Sequence, residues 1–157
     1  MIISPHVNKN PLSRACAELM VLLWKDAVTE VSYQASIAEL GSSMSVSDAG
    51  FTLRVHGFEH KLLYLAKEIL NVLFSFAGRA GPDGLPSSIK EGRFEACLES
   101  LRRRYNNSGM QASSMSVNVR IECIRNTSWS SWSKVSYCYN LVQETSLLFR
   151  SLRLMWN

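Results

Sequence analysis

The apolar residues of this 157-residue chain change their spacing twice between Asn10 and Leu62, and that change restricts the fold more than any other feature. From Asn10-Pro11 onward, Leu12, Ala15, Cys16, Leu19, Leu22, Leu23, Ala27 and Val31 follow at steps of three and four, the period of an amphipathic helix. Asn is a favoured N-cap and proline is tolerated at the first helical position, so the start is marked. The pattern persists to about Leu40, where Gly41 can supply a left-handed stop. That predicts one long helix over about 10–40, some 45 Å at 1.5 Å per residue. In "SSMSVSDAGFTLRVHG" the period drops to two: Met44 and Val46 alternate with serines, and Phe51, Leu53 and Val55 alternate with Thr52, Arg54 and His56. Two such runs flanking "SDAG" predict an antiparallel hairpin at about 44–56. From about Phe58 the helical period returns through Leu62, Leu65, Ile69, Leu70, Leu73 and Phe74, predicting a second helix at about 59–76.

The remaining segments fit around this frame. "MIIS" is a short apolar piece stopped by Pro5 and reads as the end of a strand. "AGRAGPDGLPS" is a breaker-rich loop. Ser88-Ile89-Lys90-Glu91 then has capping-box form, and Phe94, Leu98, Leu101 and Tyr105 give a third helix, about 88–107, its buried stripe. Beyond Asn107 two readings stand. "SVNVRIECIRN" alternates Val117, Val119, Ile121 and Cys123 as a strand would, and it also places Val117, Ile121, Ile124 and Trp129 on one side of a helix. After Lys134 no start or stop signal is visible, and the chain has no internal repeat. The predicted class is α+β: an antiparallel sheet containing the hairpin, covered on one face by three helices.

Charge and cysteine content narrow the function classes. Residues 1–87 carry seven Lys/Arg against eight Asp/Glu, and residues 88–157 carry ten against five. The basic excess gathers at Arg102-Arg103-Arg104 and at Arg150 and Arg153. The triple Arg lies inside an amphipathic pattern, so it reads as a solvated helix face; its functional rival is a stand-alone basic module for an anionic partner. Cys16, Cys97, Cys123 and Cys138 show no C-x-x-C spacing, and three lie on apolar stripes, as buried free thiols in a reducing compartment would. "MIISPHVNKNP" lacks a signal-peptide pattern, and no stretch has the length to span a bilayer. The expectation is a soluble intracellular protein, cytoplasmic and without a membrane partner.

Two short strings invite specific functions. "RVHGFEH" contains H-x-x-E-H at His56, Glu59 and His60, an inverted zinc-peptidase motif. Its chemistry needs both histidines on one helical turn, a Glu to activate a zinc-bound water and a third protein ligand. His56 continues the strand phase of Thr52 and Arg54, and Gly57 breaks the chain before the next helix. The histidines then straddle a strand–helix junction, with Arg54 opposing a dication. Candidates for the third ligand, His6, Glu122 and Glu144, are scattered, and Glu59 is explained by its favourable place near a helix N-terminus. The motif is read as accidental, with no catalytic, cofactor or metal residue assigned; a small metallopeptidase using His56, Glu59 and His60 is the alternative. "WSSWS" at Trp129–Ser133 resembles the type I cytokine-receptor signature, whose sandwich needs about seven strands in a secreted chain. Here three helical patterns precede it, so a serine-rich connection anchored by two aromatics is the preferred reading.

The order of motifs resembles the middle, or third, domain of the insulinase-like (pitrilysin-type) metallopeptidases. Ser4-Pro5 is followed by Pro11; Asp26-Ala27, Glu30 and Tyr33 match a D-(A/S)-L-N-E-Y-(A/S)-Y run; Ala38-Glu39-Leu40-Gly41 matches A-x-L-A-G-L. Leu53, Val55, Gly57-Phe58 and Lys61 match L-x-V-x-G-Y-x-x-K, and Arg93-Phe94-Glu95, Arg120 and Trp129 continue the match. The resemblance covers about residues 2–134 and leaves 135–157 as a divergent tail. It implies that the catalytic H-x-x-E-H and its zinc belong to another domain, that Gly57-Phe58 stands at a noncatalytic G-Y position, and that the 117–124 stretch is helical. It also implies a role in walling the substrate chamber of a zinc endopeptidase and docking against its catalytic half. The isolated chain is then expected to hold no zinc and to be inactive, with its partners the missing catalytic half and, through the full enzyme, peptide; nucleic acid is not expected. As a truncated product it would expose apolar surface and associate.

Overall fold

The computed structural model describes residues 1–58, 60–78, 91–125, 128–131, 133, 134 and 136. Among these, five helices pack with a three-stranded antiparallel sheet, the α+β class expected. The elements are β1 (Ile2–Ile3), α1 (Pro11–Ala27), α2 (Thr29–Ile37), β2 (Gly41–Ser47), β3 (Gly50–His56), α3 (Leu62–Gly78), α4 (Glu91–Asn107) and α5 (Ala112–Ile124). No helix among the described residues is long and apolar enough to cross a membrane.

α1 begins as its sequence dictates. Asn10 is extended, its side-chain oxygen accepts from Ser13 N–H at 2.6 Å, and Pro11 fills N1. The single long helix expected over 10–40 is two helices. At the break, Thr29 Oγ1 donates to the Lys25 carbonyl at 2.8 Å, competing with the backbone for the acceptor four residues back. Val28 beside it is β-branched and buried, at φ −90° and ψ 0°. The stop also differs from the expected one. Glu39, at φ +55°, is the left-handed residue, and Gly41 opens β2. Leu40 N–H donates to Ala35 O at 3.0 Å and Glu39 N–H to Ser36 O at 3.1 Å, the paired bonds of a Schellman motif, with Leu40 and Ala35 buried together.

The hairpin closes with Ser47 opposite Gly50 around Asp48-Ala49, so Met44 pairs with Leu53 and Val46 with Phe51. Period two then gives the sheet one apolar face and one polar face, the latter carrying Ser43, Ser45, Thr52, Arg54 and His56. β1 pairs with β3 through Ile2–Phe51 and Ile3–Gly50, giving the order β1-β3-β2. Gly50 sits at φ +143°, where a Cβ would run into the Ile2 carbonyl oxygen. Its glycine is what lets β1 lie so close, and Ser4 N–H continues the contact to Ala49 O at 3.0 Å.

α1 is the centre of the core. It packs on β2 and also against α3 and α4, so it is buried on more than one side. Ala15, Cys16 and Ala17 are all fully buried, small side chains that let neighbours approach from both directions. α3 meets β3 and buries Leu65, Ile69 and Leu73, one residue per helical turn. Phe74, expected in that stripe, is exposed. α4 buries Phe94, Leu98, Leu101 and Tyr105 as expected and joins the helical cover through α1. The 112–124 stretch is helix, so its strand reading is set aside. No residue of α5 is buried. The capping-box residues 88–90 and the loop at 79–87 lie outside the described residues, as do Cys138, Glu144, Arg150 and Arg153.

Candidate functional site

The H-x-x-E-H stretch sits where the sheet hands over to α3. His56 is the last residue of β3, opposite Gly41, and its imidazole lies so near that a Cβ on Gly41 would strike the ring. Gly57, at φ +153°, turns the chain with the Leu40 side chain filling the space of its missing Cβ. Phe58 beside it is wholly exposed, and His60 and Lys61 form a turn. α3 starts at Leu62, later than the expected residue 59, because the first acceptor it uses is Lys61 O, to Leu65 N–H at 3.0 Å. His56 and His60 therefore belong to a strand end and a turn, not to one helical turn, and this donor geometry does not fit zinc as an H-x-x-E-H peptidase holds it. Glu59 lies outside the described residues. His6 precedes α1 and Glu122 lies on α5; among the described residues no three His, Cys, Asp or Glu side chains gather as a metal site.

Among the described residues the densest polar constellation lies elsewhere, at Glu18 on α1. Its Oε1 accepts from Arg14 Nε at 3.0 Å and from Lys134 Nζ at 3.3 Å, and its Oε2 accepts from Tyr105 Oη at 2.8 Å. Lys134 Nζ also stands 5.5 Å from the centre of the Tyr105 ring, a cation–π distance. Arg14 reaches on to the hairpin, donating to Ser47 O at 2.9 Å and Val46 O at 3.4 Å, with Asp48 at 3.7 Å. Asp48 in turn accepts from Arg125 at 3.0 Å. Burial raises the Glu18 carboxyl pKa, but Lys134, the Tyr105 hydroxyl and Arg14 outweigh it and hold the group below its ordinary value. Both carboxylate oxygens are occupied by donors, so the cluster is a clasp between α1, the hairpin, α4 and the 125–134 segment. Sequence reasoning missed it: Tyr105 and Lys134 are 87 and 116 residues from Glu18. Only the i,i+4 spacing of Arg14 and Glu18 was a local signal.

The other sequence candidates have structural places. Trp129 anchors the serine-rich connection by donating its indole N–H to Asn8 O at 3.2 Å; Trp132 lies outside the described residues. Arg103 and Arg104 are exposed on α4, and Arg103 pairs with Glu99 at 3.0 Å. The described cysteines are thiols: Cys16 is buried, Cys97 half-buried and Cys123 exposed, so Cys123 departs from the expected buried thiols because its strand stripe does not exist. Burial, then Asp26, pushes the Cys97 thiol pKa up against the opposing Arg93. It lines an open groove of about 300 Å³ between α1 and α4, crossed by an Arg93–Asp26 pair at 3.1 Å. A smaller cavity of about 50 Å³ lies among Tyr105, Met115, Val119 and Ser131.

Comparison with known proteins bears directly on these observations. Residues 1–137 match the family described as "Middle or third domain of peptidase_M16". A nardilysin-like protein of Arabidopsis thaliana is 31% identical over 124 residues, 79% of this chain and 11% of that protein. Insulin-degrading enzyme of Drosophila melanogaster is 30% identical over 104 residues, 66% of this chain and 9% of that protein. Nardilysin of Mus musculus is 24% identical over 147 residues, 94% of this chain and 12% of that protein. The chain thus spans only about a tenth of the length of these curated relatives. The helix–hairpin–helix order around α1 and β3 and the match over residues 1–137 together place this chain in the insulinase-like peptidase family, as a middle domain.

Proposed function

We propose that this chain is a noncatalytic middle-domain portion of an insulinase-like zinc metalloendopeptidase. It helps wall the substrate chamber, docks against the catalytic half and is inactive alone. The observation that carries this reading is the placement of His56 at the end of β3 and His60 in the turn before α3, within a chain matched to the middle domain over residues 1–137. Two side chains at that junction serve the fold: His56 lies against Gly41, and Leu40 fills the space beside Gly57. No step of peptide hydrolysis is assigned to them. The apolar residues that α5 exposes, Val117, Ile121 and Ile124 among them, are consistent with a face meant for another part of a larger protein.

The test has two readouts on the purified chain. After dialysis against metal-free buffer, elemental mass spectrometry is expected to find no stoichiometric zinc, and an insulin-sized peptide is expected to remain intact. One zinc per chain, lost in His56→Ala, together with cleavage lost in His60→Ala, would overturn the reading. The basic-module alternative predicts salt-sensitive retention on an anionic matrix; retention that ignores salt removes it.

A further inference from the structure

We propose that the free edge of β2 pairs with the same edge of a second copy of this chain, joining two three-stranded sheets into one across a two-fold axis. β2 ends the order β1-β3-β2, and no strand pairs with its far side among the described residues. An edge strand offers a row of backbone donors and acceptors, and proteins blunt such edges with short strands, proline, bulges or charge. The opposite edge is treated that way: β1 is two residues long and is followed at once by Ser4-Pro5, and the part of β3 it leaves uncovered carries Arg54 and His56. The residues of β2 itself supply none of these devices. It is seven residues, "GSSMSVS", without charge or proline, in unbroken one-to-one register with β3.

The occupant follows from that composition. Antiparallel pairing about a two-fold sets a strand against itself, so like charges are the ordinary obstacle, and β2 has no charge to repel its own copy. Arg14 already occupies the carbonyls of Val46 and Ser47, which leaves the pairing to the Gly41–Met44 end, near Ser43. α2 lies against β2 at this end, with Ser32 Oγ 3.5 Å from Ser42 Oγ. It exposes Tyr33 and Ile37, an i,i+4 pair of large apolar side chains with relative exposures of 69% and 73%. Pairing of the β2 edges brings the two α2 helices toward one another and gives that pair something to bury against.

The experiment is size-exclusion chromatography with light scattering on the full chain, from the lowest detectable to the highest soluble concentration. The wild type is expected to reach twice its 17.7 kDa protomer mass. Ser43→Lys places a cation beside its own symmetry mate and is expected to return the mass to one protomer, with an unchanged circular dichroism spectrum. Tyr33→Glu, on an exposed helical surface, is expected to do the same without touching the strand. Ile124→Glu on α5 is expected to leave the dimer intact. A wild type monomeric throughout overturns the proposal. So does a dimer or larger species that survives Ser43→Lys and Tyr33→Glu, or one lost in Ile124→Glu alone, which would make α5 the seam.

Discussion

Replacing Glu18 tests whether the clasp governs the stability of the chain. Glu18 is 18% exposed, and it receives three donors: Arg14, Lys134 and the Tyr105 hydroxyl. A hydrogen bond to a charged group is worth about 1.5–3 kcal/mol net, and a buried cation stripped of its partner costs several more. Residual solvent contact offsets part of that, since Arg14 and Lys134 are 17% and 16% exposed. Glu18→Ala is therefore expected to cost about 2–4 kcal/mol, and Glu18→Gln, which keeps an acceptor for Tyr105, about 1–2 kcal/mol. The pH dependence has a definite sign. The folded carboxyl titrates below its ordinary value of 4.5, so its contribution is complete above that pH and is lost as pH falls from 4.5 through the lower folded value. Urea unfolding of wild type and Glu18→Gln at neutral and acid pH measures both quantities. The gap between the two proteins should be widest near neutrality and close below pH 4.5. A Gln variant within about 0.5 kcal/mol of wild type at pH 7, or a gap that does not change with pH, would falsify the clasp as a source of stability.

Two further substitutions probe the turns. Glu39→Gly relieves a left-handed residue at φ +55° in the Schellman position and is expected to raise stability by about 1 kcal/mol, read from the urea midpoint at unchanged slope; a loss instead would mean that the Glu39 side chain holds something the backbone geometry does not reveal. Gly50→Ala drives a Cβ into the Ile2 carbonyl oxygen at φ +143° and is expected to detach β1, raising amide exchange at Ile2 to Ser4 while Leu101 and Ile69 amides stay protected. Unchanged exchange at Ile2 to Ser4 would remove Gly50 as the reason β1 can lie there.

What the sequence disclosed and what it withheld divide along a physical line. The N-cap at Asn10, the hairpin around Asp48-Ala49 and the buried stripe of α4 rest on local rules: a side chain reaching three residues, a period of two, a period of 3.6. The break at Val28 was hidden because hydrophobic period is blind to a threonine hydroxyl taking a carbonyl from the backbone. The stop falls at Glu39 and not at the glycine that usually takes the left-handed position, because Gly41 is needed by His56 and the strain moves two residues earlier. Phe74 is exposed despite its helical spacing, because spacing fixes a stripe but not its width. The Glu18 clasp has no short-range signature, since its partners come from the far end of the described chain.

These differences bear on how the chain holds together. Every buried hydrophobic residue among those described lies between Val7 and Tyr105, while α5 buries none and its return segment is fastened by Arg125 to Asp48, Trp129 to Asn8 and Lys134 to Glu18. The two regions are stabilised by different physics. Burial of apolar area is not subject to charge screening, whereas two of the three fastenings are ion pairs that salt screens to the extent that they are exposed. Arg125 and Asp48 are 61% and 49% exposed, and Lys134 and Glu18 only 16% and 18%. Rising ionic strength must therefore act first at Arg125 and last at Lys134, so the segment loosens from its α5 end while the core and the Lys134 attachment remain. α5 therefore shows apolar side chains to solvent while the segment after it is held by polar contacts and not by buried apolar area.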